Sequence, residues 1–182
     1  MKMNRTVRDF ERALTALLEE QQFEKITVNE ICEEALLHRS SFYRYFRDKY
    51  DLLEQTIKHR LNVLVEKSET EDDVIEAIVD SIAAHNGFYK NLTRSGSRDS
   101  LYTEVLRIYS EILMDIRENG PENTMIYKAL NNAKHPKLLA YSLSGAIIGA
   151  FYWWQDQNFD VPKSEVVNFF KEIVDMYSKV EK

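Results

Sequence analysis

The sequence predicts an all-α fold, and three observations carry the prediction. Apolar residues recur every three or four positions through most of the chain, as in Val7, Phe10, Leu14, Leu17 and Leu18, which puts them on one helical face. Five glycines and three prolines are few for 182 residues, and the closely spaced turn signals of an all-β chain are missing. Hydrophobic residues form 44% of the chain, ample for a core. The pattern divides into about nine helices, with a small domain over residues 1–67 and a larger one over 68–182.

The first helix is expected over residues 5–21, with Phe23 and Ile26 leading into the next. Thr27 and Glu30 have the spacing of a capping box, in which hydroxyl and carboxylate each serve the other's backbone N–H. Val28, Ile31, Cys32 and Ala35 then share a face. After Leu36 and Leu37 the charge pattern changes: His38, Arg39, Arg44, Arg47 and Lys49 are offset by a single acid, Asp48, with Ser40, Ser41, Tyr43 and Tyr45 among them. A short second helix presenting cations, hydroxyls and phenols suits a DNA major groove. Phosphates there take positive charge and O–H donors, and base edges take short polar groups. The pair reads as a helix-turn-helix over residues 27–46. Asp48 begins a fourth helix carrying Leu52, Leu53, Ile57, Leu61, Leu64 and Val65 as far as Lys67. Lys49, in its first turn, is expected to seat a phosphate.

Residues 68–73, SETEDD, form a polar hinge, and Thr70 with Asp73 starts a helix carrying Val74, Ile75, Ile78, Val79 and Ile82. Asn86-Gly87 is expected to break it before a short helix with Phe88, Tyr89 and Leu92. A loop at 95–97 leads to Leu101, Val105, Ile108, Tyr109, Ile112 and Ile116, a long helix stopped by Asn119-Gly120-Pro121. Residues 121–135 are poorly patterned. Pro136 opens the most apolar stretch, LLAYSLSGAIIGAFYWW, whose 17 residues are marginal for a membrane span and carry Tyr141, Ser142 and Ser144. No membrane association is expected, and a helix this apolar must be buried on several sides. Ser142, Gly145, Ala146 and Gly149 give it a smooth strip that a second helix can approach. After Pro162 the last helix carries Val166, Phe169, Phe170, Ile173, Val174 and Tyr177. These two helices are more apolar than one domain needs. They point to a homodimer interface of Ser142, Gly145, Gly149, Phe169, Phe170, Ile173 and Tyr177, two helices from each chain. A well-filled monomer core is the alternative.

The net charge of −6 is unevenly placed: residues 1–60 hold 11 Lys and Arg against 11 Asp and Glu, and residues 61–182 hold 13 against 19. Within the neutral part, residues 38–49 are +3, and Lys2, Arg5, Arg8 and Arg12 add cations near the start. Such a local field is what a polyanion meets, since attraction fades beyond roughly 8 Å at physiological salt. The single cysteine, Cys32, rules out an internal disulfide, and as a buried thiol it is expected to be inert. Nothing near Met1 resembles a signal peptide, so a cytoplasmic location is expected.

TVNEICEEA, a turn, and then SSFYRYFRDKYDLL resemble the DNA-binding end of the tetracycline-repressor (TetR) family of bacterial transcription regulators. Tyr43, Tyr45 and Phe46, followed by Lys49 and Leu52, are the distinctive part of the match. The resemblance covers residues 5–60 and extends to the rest of the chain only in its general helical plan. Leu36 stands where the family usually has a turn glycine, and His38 where a capping Ser or Thr is common. Leu36 implies either that no positive φ is needed there or that strain is tolerated. The resemblance implies a homodimer binding a double-stranded operator. Arg39, Ser40 and Ser41 would lie at base edges, and Thr27, Tyr43, Tyr45 and Lys49 at phosphates. It also implies an effector cavity, for which Phe88, Tyr89, Tyr102, Tyr109, Met114, Tyr152, Trp153 and Trp154 are the candidate lining; the same side chains could simply fill the core. A divergent branch containing dihydroxyacetone-kinase regulators, some of them activators with a protein partner, is similar too, so repression and activation both stay open.

No catalytic constellation stands out. His38, His59, His85 and His135 are isolated, without metal-ligand spacing, and no phosphate-binding glycine loop or nucleophile elbow occurs. Neither metal nor cofactor is expected, and an enzyme is disfavoured. A protein-interaction adaptor of the same fold, or a co-activator, is the alternative to a ligand-responsive repressor.

Overall fold

The structure is a computed structural model that describes residues 4–93 and 100–178, with the side chains of all of these except 93, 100, 177 and 178. Among the described residues there are ten helices and no strand. The loop expected at 95–97 lies outside the described residues, as does the side chain of Tyr177. The chain divides into two compact units, one made of Met1–Asn62 with Ala84–Tyr102 and the other of Val63–Ala83 with Thr103–Lys182.

In the first unit, α1 (Arg5–Glu20) starts at Asn4, whose Oδ1 accepts from the Thr6 N–H at 3.0 Å. It buries Phe10, Ala13, Leu14 and Leu18 against α2 (Val28–Glu34) and α3 (Arg39–Tyr45). Each of these two helices has seven residues, too few to hold together in water alone, so packing must fix them. The Phe10 ring supplies much of it, edge-on to Phe42 at 5.4 Å and to Phe46 at 5.9 Å between centroids. Such pairs add about 0.5–1.5 kcal/mol each beyond their burial. Phe46 is core, as its place in the motif suggests. α4 (Lys49–Lys67) opens on Asp48, whose Oδ1 accepts from the N–H groups of Tyr50 and Asp51, both at 2.9 Å.

The first unit also takes in Ala84–Tyr102, from beyond the segment 68–73 expected as a hinge, of which 71–73 already belong to a helix. α6 (Asn86–Thr93) lies on α1: Asn91 donates to the Leu18 carbonyl at 3.0 Å and accepts, through its own carbonyl, from the Phe23 N–H at 3.1 Å. Glu19 Oε2 accepts from the Phe88 N–H at 3.2 Å. A Cβ on Gly87 would stand 2.4 Å from Glu19 Oε2 and 3.0 Å from the Glu19 carbonyl oxygen. Gly87 therefore belongs inside this helix because α1 comes so close; the break expected at Asn86-Gly87 falls at His85.

In the second unit, Thr70 and Asp73 form a reciprocal cap on α5 (Glu71–Ala84), with bonds of 2.9 and 3.1 Å. α7 (Ser100–Asn119) is followed by α8 (Met125–Asn132), the helix that brings the count to ten rather than the nine expected from pattern. The Glu71 carboxylate accepts from the Met125 and Ile126 N–H groups at 2.6 and 2.9 Å, so α5 caps α8 across 54 residues of sequence. α9 (Pro136–Asp156) and α10 (Lys163–Ser178) close the unit. Leu113, Leu130, Ala140 and Leu143 form a buried cluster with Met114, Ile116, Ile126, Leu139 and Ile173 packed on it. Lys171 joins α10 to α5 through Asp72 at 3.0 Å and Glu76 at 3.1 Å. No helix among the described residues is long and apolar enough to cross a membrane.

Candidate nucleic-acid interface

The turn between α2 and α3 closes with the Leu37 N–H on the Cys32 carbonyl at 3.0 Å and the Leu36 N–H on the Glu33 carbonyl at 3.1 Å. This Schellman-type ending needs a left-handed residue, and Leu36 takes that place with φ 55°. A positive φ is thus required, and a side chain bears it at a cost of about 1–2 kcal/mol. Leu36 is also 91% exposed. His38 occupies the N-cap of α3 without a side-chain bond, so it holds the extended backbone there but satisfies no orphan N–H.

On α3, Arg39, Ser40, Tyr43 and Arg44 are exposed, Ser41 and Tyr45 are half-buried, and Phe42 is the inward face. The helix therefore puts its polar residues on one surface because a single aromatic, at the fourth position, anchors it to Phe10. Tyr43 OH accepts from Arg39 Nη2 at 3.2 Å, and Tyr45 OH accepts from Asn4 Nδ2 at 2.9 Å. A phenol that accepts keeps its own hydrogen to donate, which is what a phosphate oxygen needs.

Two of the expected phosphate ligands are engaged elsewhere. Thr27 Oγ1 donates to Glu30 Oε2 at 2.7 Å and accepts from the Glu30 N–H at 3.2 Å, so its only hydrogen is spent in the capping box. The bonds from the Thr27 hydroxyl and backbone N–H hold the Glu30 carboxyl below its ordinary range. Lys49 Nζ donates to the carbonyls of Phe23, Glu24 and Ile26 at 3.0, 3.0 and 2.8 Å. An ammonium has three hydrogens, and all three are accounted for. The Phe23 ring lies 4.8 Å below the ammonium, and burial pushes Lys49 down from the usual lysine range. Lys49 therefore ties the α1–α2 connection to the start of α4. Asn29, exposed in the first turn of α2 and bonded to Arg39, escaped the sequence reading; its polarity amid VNEICEE was the available signal. Cys32 is buried, and burial pushes its thiol up, as an inert sulfur requires.

The family model for bacterial regulatory proteins of the tetR family matches residues 12–56, and that for a transcriptional regulator C-terminal region matches residues 69–176. The chain belongs to the TetR family. No curated protein matches it in sequence. Among solved structures, the dihydroxyacetone kinase operon activator DhaS shares the fold at TM-score 0.59 and 14% identity, covering 94% of this chain and 97% of that one. The fatty acid degradation regulator FadR from Bacillus halodurans follows at 0.55 and 16%, covering 96% of each chain. A TetR transcriptional regulator from Streptococcus agalactiae stands at 0.55 and 18%, covering 93% of each.

In this TetR-family chain the candidate effector residues are divided between the units: Phe88, Tyr89 and Tyr102 belong to the first, and Tyr109, Met114, Tyr152, Trp153 and Trp154 to the second. Phe88 is closed in the core of its unit. Trp154 is closed in the other, its indole N–H donating to the Val161 carbonyl at 2.9 Å. Trp153 is 53% exposed. It follows Leu138, Ser142, Gly145 and Gly149 along α9 at steps of three and four residues, so these make one stripe. Phe169 and Met176 are exposed on α10, while Phe170 and Ile173 are half-buried, with Ile173 turned to the cluster around Leu143.

Proposed function

We propose that this TetR-family chain is a ligand-responsive repressor that acts in the cytoplasm and binds a palindromic operator as a homodimer. The carrying observation is the exposed surface of α3, where Arg39, Ser40, Tyr43 and Arg44 offer forked, short and phenolic donors on one rigid helix. Arg39, Ser40 and Ser41 meet base edges, and Tyr43 and Tyr45 meet phosphates. Thr27 and Lys49 hold the reading helix in place instead of touching DNA. The stripe through Ser142, Gly145, Gly149 and Trp153, with Phe169, supports pairing with a second copy, because exposed apolar surface of this kind is what an obligate interface covers. A two-fold pair of reading helices then calls for a palindromic site. Effector binding is assigned to the second unit, near Tyr109, Met114 and Tyr152.

The test is binding of the purified chain to its own upstream DNA at several salt concentrations, paired with a reporter fused to that region. A salt-dependent footprint with two half-sites and a reporter lowered by the protein is expected. A reporter raised by the protein would make it an activator, and the absence of salt-dependent binding would favour an adaptor of the same fold.

A further inference from the structure

The Arg39 guanidinium, which carries the proposed base reading, is held from two sides. Nη1 donates to Asn29 Oδ1 at 2.9 Å and Nη2 to Tyr43 OH at 3.2 Å. Its central carbon stands 5.7 Å from the centroid of the Tyr43 ring. Asn29 comes from α2 and Tyr43 from the next turn of α3, so two helices grip one side chain. All three residues are exposed, where such bonds add little to folding. What they do instead is limit the rotamers of a long, otherwise mobile side chain. The two bonds engage two of the five N–H donors of a guanidinium, and three are left to address a base edge.

We propose that Asn29 is a positioning residue that sets base specificity through Arg39. The inference rests on the DNA-reading role of α3. A bidentate contact to guanine demands a planar fork at one tilt, and an arginine already held at that tilt loses less freedom when it docks. Asn29 contributes only its carbonyl oxygen to this grip. Its removal therefore frees the guanidinium without changing the charge that phosphates feel.

The experiment is a double-substitution cycle on the full-length chain with Asn29→Ala, Arg39→Ala and both together. Fluorescence anisotropy would be measured on a duplex selected by the wild-type protein from a random pool and on its scrambled counterpart. Asn29→Ala should weaken the selected duplex roughly fivefold, the worth of one lost hydrogen bond, with the scrambled duplex and the salt slope unchanged. In the Arg39→Ala background the same change should cost nothing. Repeating the selection with Asn29→Ala should relax the base preference at the position that Arg39→Ala also relaxes. An equal penalty in both backgrounds would mean that Asn29 touches DNA itself and would overturn the inference. So would a lowered melting temperature with selectivity intact, which is the mark of a structural role only. A wild-type protein that binds both duplexes alike would remove the DNA reading and this inference with it, whereas a selective wild type with an additive cycle would remove this inference alone.

Discussion

On α3 the exposed side chains are Arg39, Ser40, Tyr43 and Arg44; on α9 and α10 they include Leu138, Trp153, Phe169 and Met176. The first surface wants charge and hydrogen-bond partners, which water supplies well, so it can stand open in the free protein. The second wants apolar contact, which water does not supply, and its exposed area carries a standing cost of roughly 25 cal/mol per Å². The polar helix can stay uncovered at little cost, whereas the apolar pair gains free energy from any contact that covers it, which is why the proposed pairing with a second copy is placed there.

The largest effect is expected at Trp153. Trp153→Asp should weaken self-association by 2 kcal/mol or more, about 30-fold, in sedimentation at several concentrations. Gly149→Leu tests the same face, where an added Cβ meets nothing within 4 Å in its own chain, and should weaken association while the melting temperature of the isolated chain holds. A dimer unmoved by either would place the interface elsewhere. The next effect in size is at Lys49. Lys49→Met deprives three carbonyls of their donor and should lower stability by about 2 kcal/mol in urea melts, while the salt slope of DNA binding stays put. A slope reduced by about one per half-site would restore Lys49 as a phosphate ligand.

Smaller still is Leu36→Gly. Relief of about 1–2 kcal/mol of left-handed strain, less about 0.5–1 kcal/mol of added chain entropy, should raise stability by about 1 kcal/mol at the DNA-reading end. The smallest effect concerns Glu11, buried in α1 with Oε2 at 2.9 Å from His59 Nδ1. Burial lifts its carboxyl above the ordinary 4.5, and the charge of and bond to His59 only partly offset this. The folded state then holds the proton more tightly than the unfolded one, so this residue's contribution is complete below pH 4.5 and is lost as pH rises through the lifted value. Glu11→Gln should remove that decline. In melts from pH 4 upward the variant should gain on the wild type as pH rises, and parallel curves would contradict it.

What the sequence made legible was local. The Thr27–Glu30 cap, the Asp48 start of α4 and its end at Lys67 follow from residues three or four apart, and each stands as read. The role of Lys49 was not legible, because its three carbonyls lie 23 to 26 residues back and no spacing rule reports them. The Arg39–Asn29 bond escaped likewise. α8 was missed because only Ala129 and Leu130 are fully buried in it, and Glu71, far upstream, caps it. For Leu36 the letter left two readings open, no positive φ or tolerated strain, and the closing bonds from Leu36 and Leu37 decide for the second.

The chain has two tryptophans, and they are neighbours: Trp154 is 2% exposed and Trp153 is 53% exposed. Their light should therefore carry two messages. Trp154, sealed against Phe159 with its N–H on the Val161 carbonyl, should emit toward the blue and change only when the second unit unfolds. Trp153 should emit toward the red and be open to iodide while its face is bare, then become shielded as concentration rises and the face is covered. A Trp153→Phe variant leaves a single sealed reporter, so subtracting its signal from that of the wild type isolates the state of one surface from the state of the fold.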